Sequence, residues 1–310
     1  MATGLTRIDV PLRDFLEDMI SRITREYGDE IVSIGLFGSA TTKDWVRGRS
    51  DIDFIIVIKH EEKRQVVENS MNRILLELDR KYDLQLTQTC STFARHANPM
   101  VNFFLKLENA LMFGRPFFVF SLNQIAFEKG TINDAKIRLV TTVFDPLSIF
   151  LAKMKQTGTT IYGENLISQM KFSTSAVDKV RIAMAPLWLV TMSLLSFPVD
   201  GVFSLKHSMK ATLWACEDVL FALDISLSTN ADEASIISDI FGKGTGVDLT
   251  HLKKTVALRS EGFSNEITKG FVAKYVLSTM LFISTLYYNT SAVLRAHSHD
   301  RYFTHQYGAS

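Results

Sequence analysis

Apolar and polar positions alternate along this chain in patterns that predict helices around two short strands. The Pro11–Tyr27 segment keeps its apolar residues on one stripe, as an amphipathic helix does. Two short, mainly apolar runs follow, over 31–37 and 54–58, and short runs of this kind are typical of buried strands. A helical pattern over Glu61–Arg80 then leads to Asp83–Thr87, where alternation predicts a third strand with Asp83, Gln85 and Thr87 on one face.

The middle of the chain has less regular patterns. Met100–Glu108 has helical spacing, and Ala110–Phe120 has the composition of a strand that Gly114-Arg115-Pro116 interrupts. Further on, a helix beginning near Ile149 leads to a corner at Tyr162-Gly163.

From about Ser168 onward the pattern is mostly helical. The predicted helices are Val177–Leu195, Leu205–Leu223, Ala231–Phe241, Leu249–Leu258 and Glu266–Ala296. We therefore predict an α+β fold: a domain over residues 1–145 with a small mixed β-sheet flanked by helices, followed by an all-α helical bundle over residues 146–310.

Length and charge fit this division. A chain of 310 residues is long enough for two domains, and its net charge of +1 shows no basic excess, which argues against long nucleic acid as a partner. The two cysteines, Cys90 and Cys216, lie far apart without metal-ligand spacing, which argues against a disulfide framework. With no apolar signal region near the N-terminus, we predict a cytoplasmic protein.

Two uncharged stretches approach the length of a membrane span, Ile182–Val199 and Tyr275–Leu294. The first contains Pro186 and Pro198, and the second is rich in Ser, Thr, Tyr and Asn. Because these residues are ordinary in helices packed among other helices, we favour buried helices without a membrane. A membrane-associated regulator is the alternative.

The chemistry is concentrated in two motifs. Gly38-Ser39 ends the first apolar run, where a glycine lets backbone amides approach a phosphate and a serine offers a hydroxyl. After eleven residues, Asp51 and Asp53 precede and open the second run, and the period of a strand directs both carboxylates to one face. An acidic pair of this kind suits Mg²⁺, which shares its coordination shell with phosphates and water.

This combination resembles the DNA polymerase β nucleotidyltransferase superfamily. The resemblance covers about a tenth of the chain, and it implies transfer of a nucleoside monophosphate from a nucleoside triphosphate such as ATP to an acceptor hydroxyl, with release of pyrophosphate. Asp51 and Asp53 would hold two Mg²⁺ ions, with Asp83 as third carboxylate and proton acceptor, or Gln85 in that position. Gly38 and Ser39 would bind phosphates.

Three basic residues in the spacer, Lys43, Arg47 and Arg49, are candidates to neutralise the triphosphate, although solvated loop positions are the alternative. The Tyr162-Gly163 corner is similar to one in aminoglycoside-modifying nucleotidyltransferases, and the helical half resembles the module that holds the acceptor in such enzymes.

The acceptor is left open among a small molecule, a protein hydroxyl and an RNA end, as is the oligomeric state, with a homodimer among the options. The alternative function is a catalytically inactive nucleotide-binding protein or antitoxin-like partner of the same fold. The C-terminal histidines His297, His299 and His305 lack zinc-motif spacing, and we interpret them as part of a polar tail.

Overall fold

The computed structural model describes most of the chain and divides it into two compact units. The first unit comprises the chain up to Thr174 except Ala97–Phe104, and the second comprises Ala97–Phe104 and the chain from Ser175 onward. The described residues are 10–42, 45–86, 96–111, 116–143, 146–223, 225, 233–242, 246–261 and 267–297.

The chain up to Gly163 alternates helices and strands. Its elements are α1 (Val10–Tyr27), β1 (Ile31–Phe37), β2 (Asp53–Ile58), α2 (Arg64–Tyr82), α3 (Pro99–Leu111), β3 (Phe117–Ser121), β4 (Ile125–Ala126), β5 (Thr131–Ile132), α4 (Ala135–Val143), α5 (Leu147–Thr157) and β6 (Thr159–Gly163). Four strands form one sheet in the order β3-β2-β1-β6, and β4 and β5 form a separate two-stranded ribbon. β1 is antiparallel to both neighbours, whereas β2 and β3 are parallel. The predicted mixed sheet flanked by helices is confirmed.

Both faces of this sheet are covered, which explains why β2 is apolar almost throughout. Phe54, Ile56 and Ile58 belong to a core shared with α1 and α2. Ile55 and Val57 face the opposite way, into a second core that includes Phe150 and Met154 of α5 and Met170. A strand buried on both faces loses the polar alternation of a half-exposed one.

The predicted strand at Asp83–Thr87 is wrong over the residues that the structure describes. Asp83 ends α2 in the left-handed conformation, with φ of 50°, and Gln85 also has positive φ, at 61°. Leu84 and Leu86 are buried in the core with α1 and α2. The alternation therefore reflects burial of one side of the segment and no strand pairing among its described residues. Thr87 lies outside the described residues.

β2 lies between β1 and β3 in the sheet. β3 belongs to the segment where we predicted an interrupted strand, Ala110–Phe120. The domain boundary after residue 145 stays a prediction, and one strand of the sheet lies beyond it. β6 pairs with β1 over Ser33–Leu36, so the sheet is complete only at Gly163.

The second unit is helical. Its helices are α6 (Ala176–Arg181), α7 (Met184–Ser196), α8 (Gly201–Ala222), α9 (Glu233–Phe241), α10 (Leu249–Glu261) and α11 (Lys269–His297). α8 is the central helix and packs against α7, α9, α10 and α11. Its N-terminus is capped by Asp200, whose carboxylate accepts a hydrogen bond from the Phe203 amide at 2.8 Å.

Two stretches of this unit are long and apolar enough to cross a membrane, Val177–Ser196 and Lys269–Ala292, with mean hydropathies of 1.2 and 1.3. Buried positions make up 47% and 39% of them, and core helices of soluble proteins have the same length and composition. The preference for packed helices stays a prediction.

Candidate active site

The Gly38-Ser39 motif forms a tight turn at the end of β1. Gly38 opens a single 3₁₀ turn, Gly38–Thr41, and has φ of +72°, a conformation that favours glycine. Two hydroxyls close the turn, since Thr41 Oγ1 donates to Gly38 O at 2.7 Å and Thr42 Oγ1 donates to Ser39 O at 3.1 Å. The Ser39 hydroxyl makes no hydrogen bond to another described residue. The Ser39 hydroxyl can therefore form a hydrogen bond to a ligand at this turn.

Asp53 lies directly beside the turn. It is paired with Phe37 in the register of β1 and β2, so the strand pairing alone places it next to Gly38. A Cβ atom on Gly38 would be 3.0 Å from Asp53 Oδ2. Asp51, two residues earlier, is half-buried like Asp53. The structure thus brings the phosphate-binding candidate and one carboxylate of the predicted metal pair into contact.

The loop that leads to this pair is closed by its own hydrogen bonds. Ser50 Oγ accepts a hydrogen bond from the Val46 amide at 2.8 Å, and the Ser50 amide donates to Val46 O at 2.8 Å. The Gly48 amide donates to Leu84 O at 3.2 Å, which fastens the loop to the segment after α2. Asp51 therefore follows a folded turn.

Arg47 and Asp83 meet on the surface of the same loop. Arg47 Nη2 lies 2.8 Å from Asp83 Oδ2, and the Arg47 side chain is 45% exposed and that of Asp83 73% exposed. Arg47 also donates to two carbonyl oxygens at the end of α2, those of Tyr82 and Asp83, at 3.1 and 2.6 Å. A cation at a helix C-terminus satisfies the last carbonyls and the helix dipole. Both side chains are thus engaged in a helix cap.

Gln85, the alternative to Asp83, has a different neighbour. A Cβ atom on Gly48 would be 2.5 Å from Gln85 Oε1, so the Gln85 side chain lies against the backbone of Gly48. Within the described residues, no three His, Cys, Asp or Glu side chains are grouped to hold a metal ion. Asp83 or Gln85 as the third member of the predicted set stays a prediction.

Of the other predicted residues, Arg49 is exposed in the loop, and Lys43 lies outside the described residues. Cys90, His299 and His305 lie outside them as well.

One residue at this site was missed from sequence. The Gly38 amide donates a hydrogen bond to Thr157 Oγ1 at 3.0 Å, across 119 positions of the chain. Thr157 ends α5 in an ordinary helical pattern, and no local motif distinguishes it.

The Gly-Ser turn thus lies beside Asp53, the first residue of β2, at the end of a mixed sheet that is covered on both faces. The family profile described as nucleotidyltransferase domain matches residues 17–110, a range that includes the turn and both aspartates. Residues 17–110 therefore match a nucleotidyltransferase domain. The recognition made from Gly38-Ser39 and Asp51-x-Asp53 is confirmed.

A search of curated proteins found no match. Among solved structures, the chain is similar to spectinomycin adenyltransferase AAD(9) from Enterococcus faecialis, determined with ATP and spectinomycin. The identity is 11%, the TM-score is 0.49, and the alignment covers 88% of this chain and 98% of that one.

Proposed function

We propose that the protein transfers a nucleoside monophosphate from a nucleoside triphosphate to an acceptor hydroxyl. The observation that carries this proposal is the contact of the Gly38 turn with Asp53, inside the segment that matches the nucleotidyltransferase profile. Ser39 binds a phosphate oxygen of the triphosphate through its hydroxyl. Arg49 and Lys43 balance the negative charge of the phosphates, whereas Arg47 holds the loop to α2.

The donor set at the turn fits Mg²⁺. Asp51 and Asp53 supply carboxylate oxygens, and Mg²⁺ is usually held by one or two carboxylates together with substrate phosphates and water. We propose that these two residues hold Mg²⁺, which when bound neutralises charge on the phosphates. Two ions, as the resemblance implies, are part of this proposal.

In the proposed reaction the acceptor oxygen forms a bond to the α-phosphorus while the bond from that phosphorus to the β-phosphate oxygen breaks. Pyrophosphate leaves, and the hydroxyl proton passes to a base. The sequence assigns that base to Asp83. Because its carboxylate is paired with Arg47, its part as base or metal ligand stays a prediction.

A second candidate is a nucleotide-binding protein of the same fold without transfer activity. One observation favours it: the pairing of Asp83 with Arg47. Such a protein would bind Mg²⁺-nucleotide without releasing pyrophosphate.

The test combines binding with turnover. Calorimetric titration of ATP, GTP, CTP and UTP, each with Mg²⁺, identifies the nucleotide. Triphosphates labelled at the α-phosphate are then incubated separately with small-molecule, protein and RNA fractions, and label transfer and pyrophosphate are measured. Transfer by wild type but not by Asp53→Asn supports the enzyme. Binding without transfer in any fraction supports the second candidate, and no binding by wild type contradicts both.

A further inference from the structure

The last residue of α5 holds the active-site turn in place. The Thr157 hydroxyl accepts the hydrogen bond of the Gly38 amide at 3.0 Å and donates its own proton to Lys153 O at 2.9 Å. With its proton directed into the helix, the hydroxyl presents a lone pair to Gly38. Threonine and serine have this geometry in common, and valine has the same shape without it.

Buried side chains fix the position of α5, the helix that carries Thr157. Ile149, Leu151, Ala152 and Met154 are at most 1% exposed. Met154 packs in the core on the same sheet face as Phe37 and Ile55. After Thr157 the Gly158 amide donates to Met154 O at 2.8 Å, which ends the helix at a fixed point. The position of Thr157 is therefore set by buried packing.

Gly38 is constrained from two sides. Its amide is bound by Thr157, and its α-carbon faces Asp53 Oδ2 closely enough that a Cβ would be 3.0 Å away. The Gly38 amide is thus already paired within the protein. The phosphate must then be bound by the groups that follow Gly38, of which the Ser39 hydroxyl is the first.

We infer that Thr157 is a positioning residue, which orients the Gly38-Ser39 turn so that Ser39 meets the triphosphate of the substrate. The inference rests on the proposed nucleotide function and adds to it a residue from a distant helix. Thr157 acts through Gly38 and does not itself contact the nucleotide.

The experiment compares Thr157→Val, which removes the acceptor, with Thr157→Ser, which keeps it. Thr191→Val is the matched control, because Thr191 Oγ1 makes the same kind of bond to a carbonyl four residues earlier, Leu187 O, in the helical unit. The probes are the tightest-binding of the four Mg²⁺-nucleoside triphosphates and its unphosphorylated nucleoside. Hydrogen exchange of the Gly38 amide is followed by NMR without nucleotide.

Loss of one hydrogen bond corresponds to an increase of about fivefold in the Kd of the triphosphate for Thr157→Val. We expect faster exchange of the Gly38 amide in the same variant and an unchanged Kd for the nucleoside. Thr157→Ser and Thr191→Val should match wild type in all three measurements.

Unchanged exchange and an unchanged triphosphate Kd in Thr157→Val would overturn the inference, as would equal weakening of triphosphate and nucleoside. If wild type binds no triphosphate while Gly38 exchange still depends on Thr157, the proposed function and the positioning role both fail, although the contact itself stands. Triphosphate binding by wild type therefore separates failure of the proposed function from failure of the positioning role alone.

Discussion

The two units of this protein use polar side chains in opposite ways. In the first, the chemically capable residues lie at strand ends and turns, where Gly38, Asp51 and Asp53 are half-buried. In the second, hydroxyls and an imidazole are enclosed in the helical core, and they bond to one another. Ser193 Oγ lies 2.7 Å from Ser208 Oγ, for example, and both residues are fully buried.

His251 is the clearest example of a polar side chain enclosed in the helical core. It is 4% exposed, and its Nε2 lies 3.2 Å from Thr212 Oγ1 and 3.1 Å from Thr279 Oγ1. Each threonine hydroxyl also donates to a backbone carbonyl of its own helix, so both accept from an Nε2–H of the imidazole. The Tyr275 ring packs against His251 and its hydroxyl bonds to Thr255.

The contrast teaches that residue type alone does not mark a catalytic site. A histidine that contacts two threonines and a tyrosine has the residue types of a reactive site, yet each of these side chains has its hydrogen-bond partner inside the bundle. The same polar residues explain the uncharged stretch over Tyr275–Leu294, where Tyr275 and Thr279 are core residues of α11. Half-buried carboxylates beside a glycine turn are the more informative combination.

The largest expected effect is on the rate of nucleotide transfer, and it tests whether the first unit contains the reactive site. Asp53→Asn and Asp51→Asn each remove a carboxylate from the proposed metal pair, and we expect nucleotide transfer to fall by at least about 100-fold, roughly 3 kcal/mol in the barrier. Initial rates of pyrophosphate release are the measurement. Asp14→Asn, which changes an exposed position on α1, should retain the wild-type rate. A similar fall in rate for Asp14→Asn would contradict the assignment of Asp51 and Asp53 to the metal pair.

His251 gives the corresponding test for the second unit. Burial lowers the pKa of His251 from 6.5 to about 4; the charge of Asp248 opposes this, and that of Lys254 lowers the pKa further, both to a smaller extent. Because the folded state resists protonation, its stability is fully present above pH 6.5 and falls as the pH drops towards 4. Linkage gives a loss of up to about 3 kcal/mol across that window.

Urea unfolding at several pH values measures this, with His251→Leu as the comparison. The leucine variant should lack the part of the pH dependence that comes from His251. An unchanged slope between pH 6.5 and 4 would mean that His251 is not enclosed as the structure has it.

Gly38→Ala tests how closely the turn and the carboxylate pair fit. A side chain at φ of +72° is strained by about 1 kcal/mol, and a Cβ would also crowd Asp53. Gly246→Ala is the matched control, since Gly246 has the same φ and nothing within 4 Å of its Cβ position. We expect similar or greater destabilisation at Gly38 and a loss of nucleotide binding there alone. Equal binding by both variants would argue against the turn as phosphate site.

The smallest expected effect concerns Asp83. Its pair with Arg47 is largely exposed, so Asp83→Asn should change the free energy of unfolding by less than about 1 kcal/mol. Because Asp83 is paired with Arg47 at the surface, we expect the rate of transfer to fall less than about tenfold, the equivalent of about 1.4 kcal/mol in the barrier. A loss as large as that of Asp53→Asn would instead restore Asp83 as the third carboxylate predicted from sequence.

Sequence predicted the parts of this fold that are local. The helix α1, the strands β1 and β2 and the glycine turn follow from patterns within a few residues. The partners of β2 and β1 do not, because β3 and β6 join the sheet across long connections. The strand predicted at Asp83 is wrong for a physical reason. Buried Leu84 and Leu86 give the segment the alternation of a strand, whether or not it pairs with another strand. Thr157 was missed because its contact with Gly38 spans 119 positions.

The most direct test of the central claim is Mg²⁺-dependent release of pyrophosphate from a nucleoside triphosphate in the presence of acceptor fractions. Wild type should release pyrophosphate and label the acceptor, and Asp53→Asn, folded to the same degree by circular dichroism, should do neither. Equal release by wild type and Asp53→Asn, or no release by wild type with any of the four triphosphates, would contradict the account.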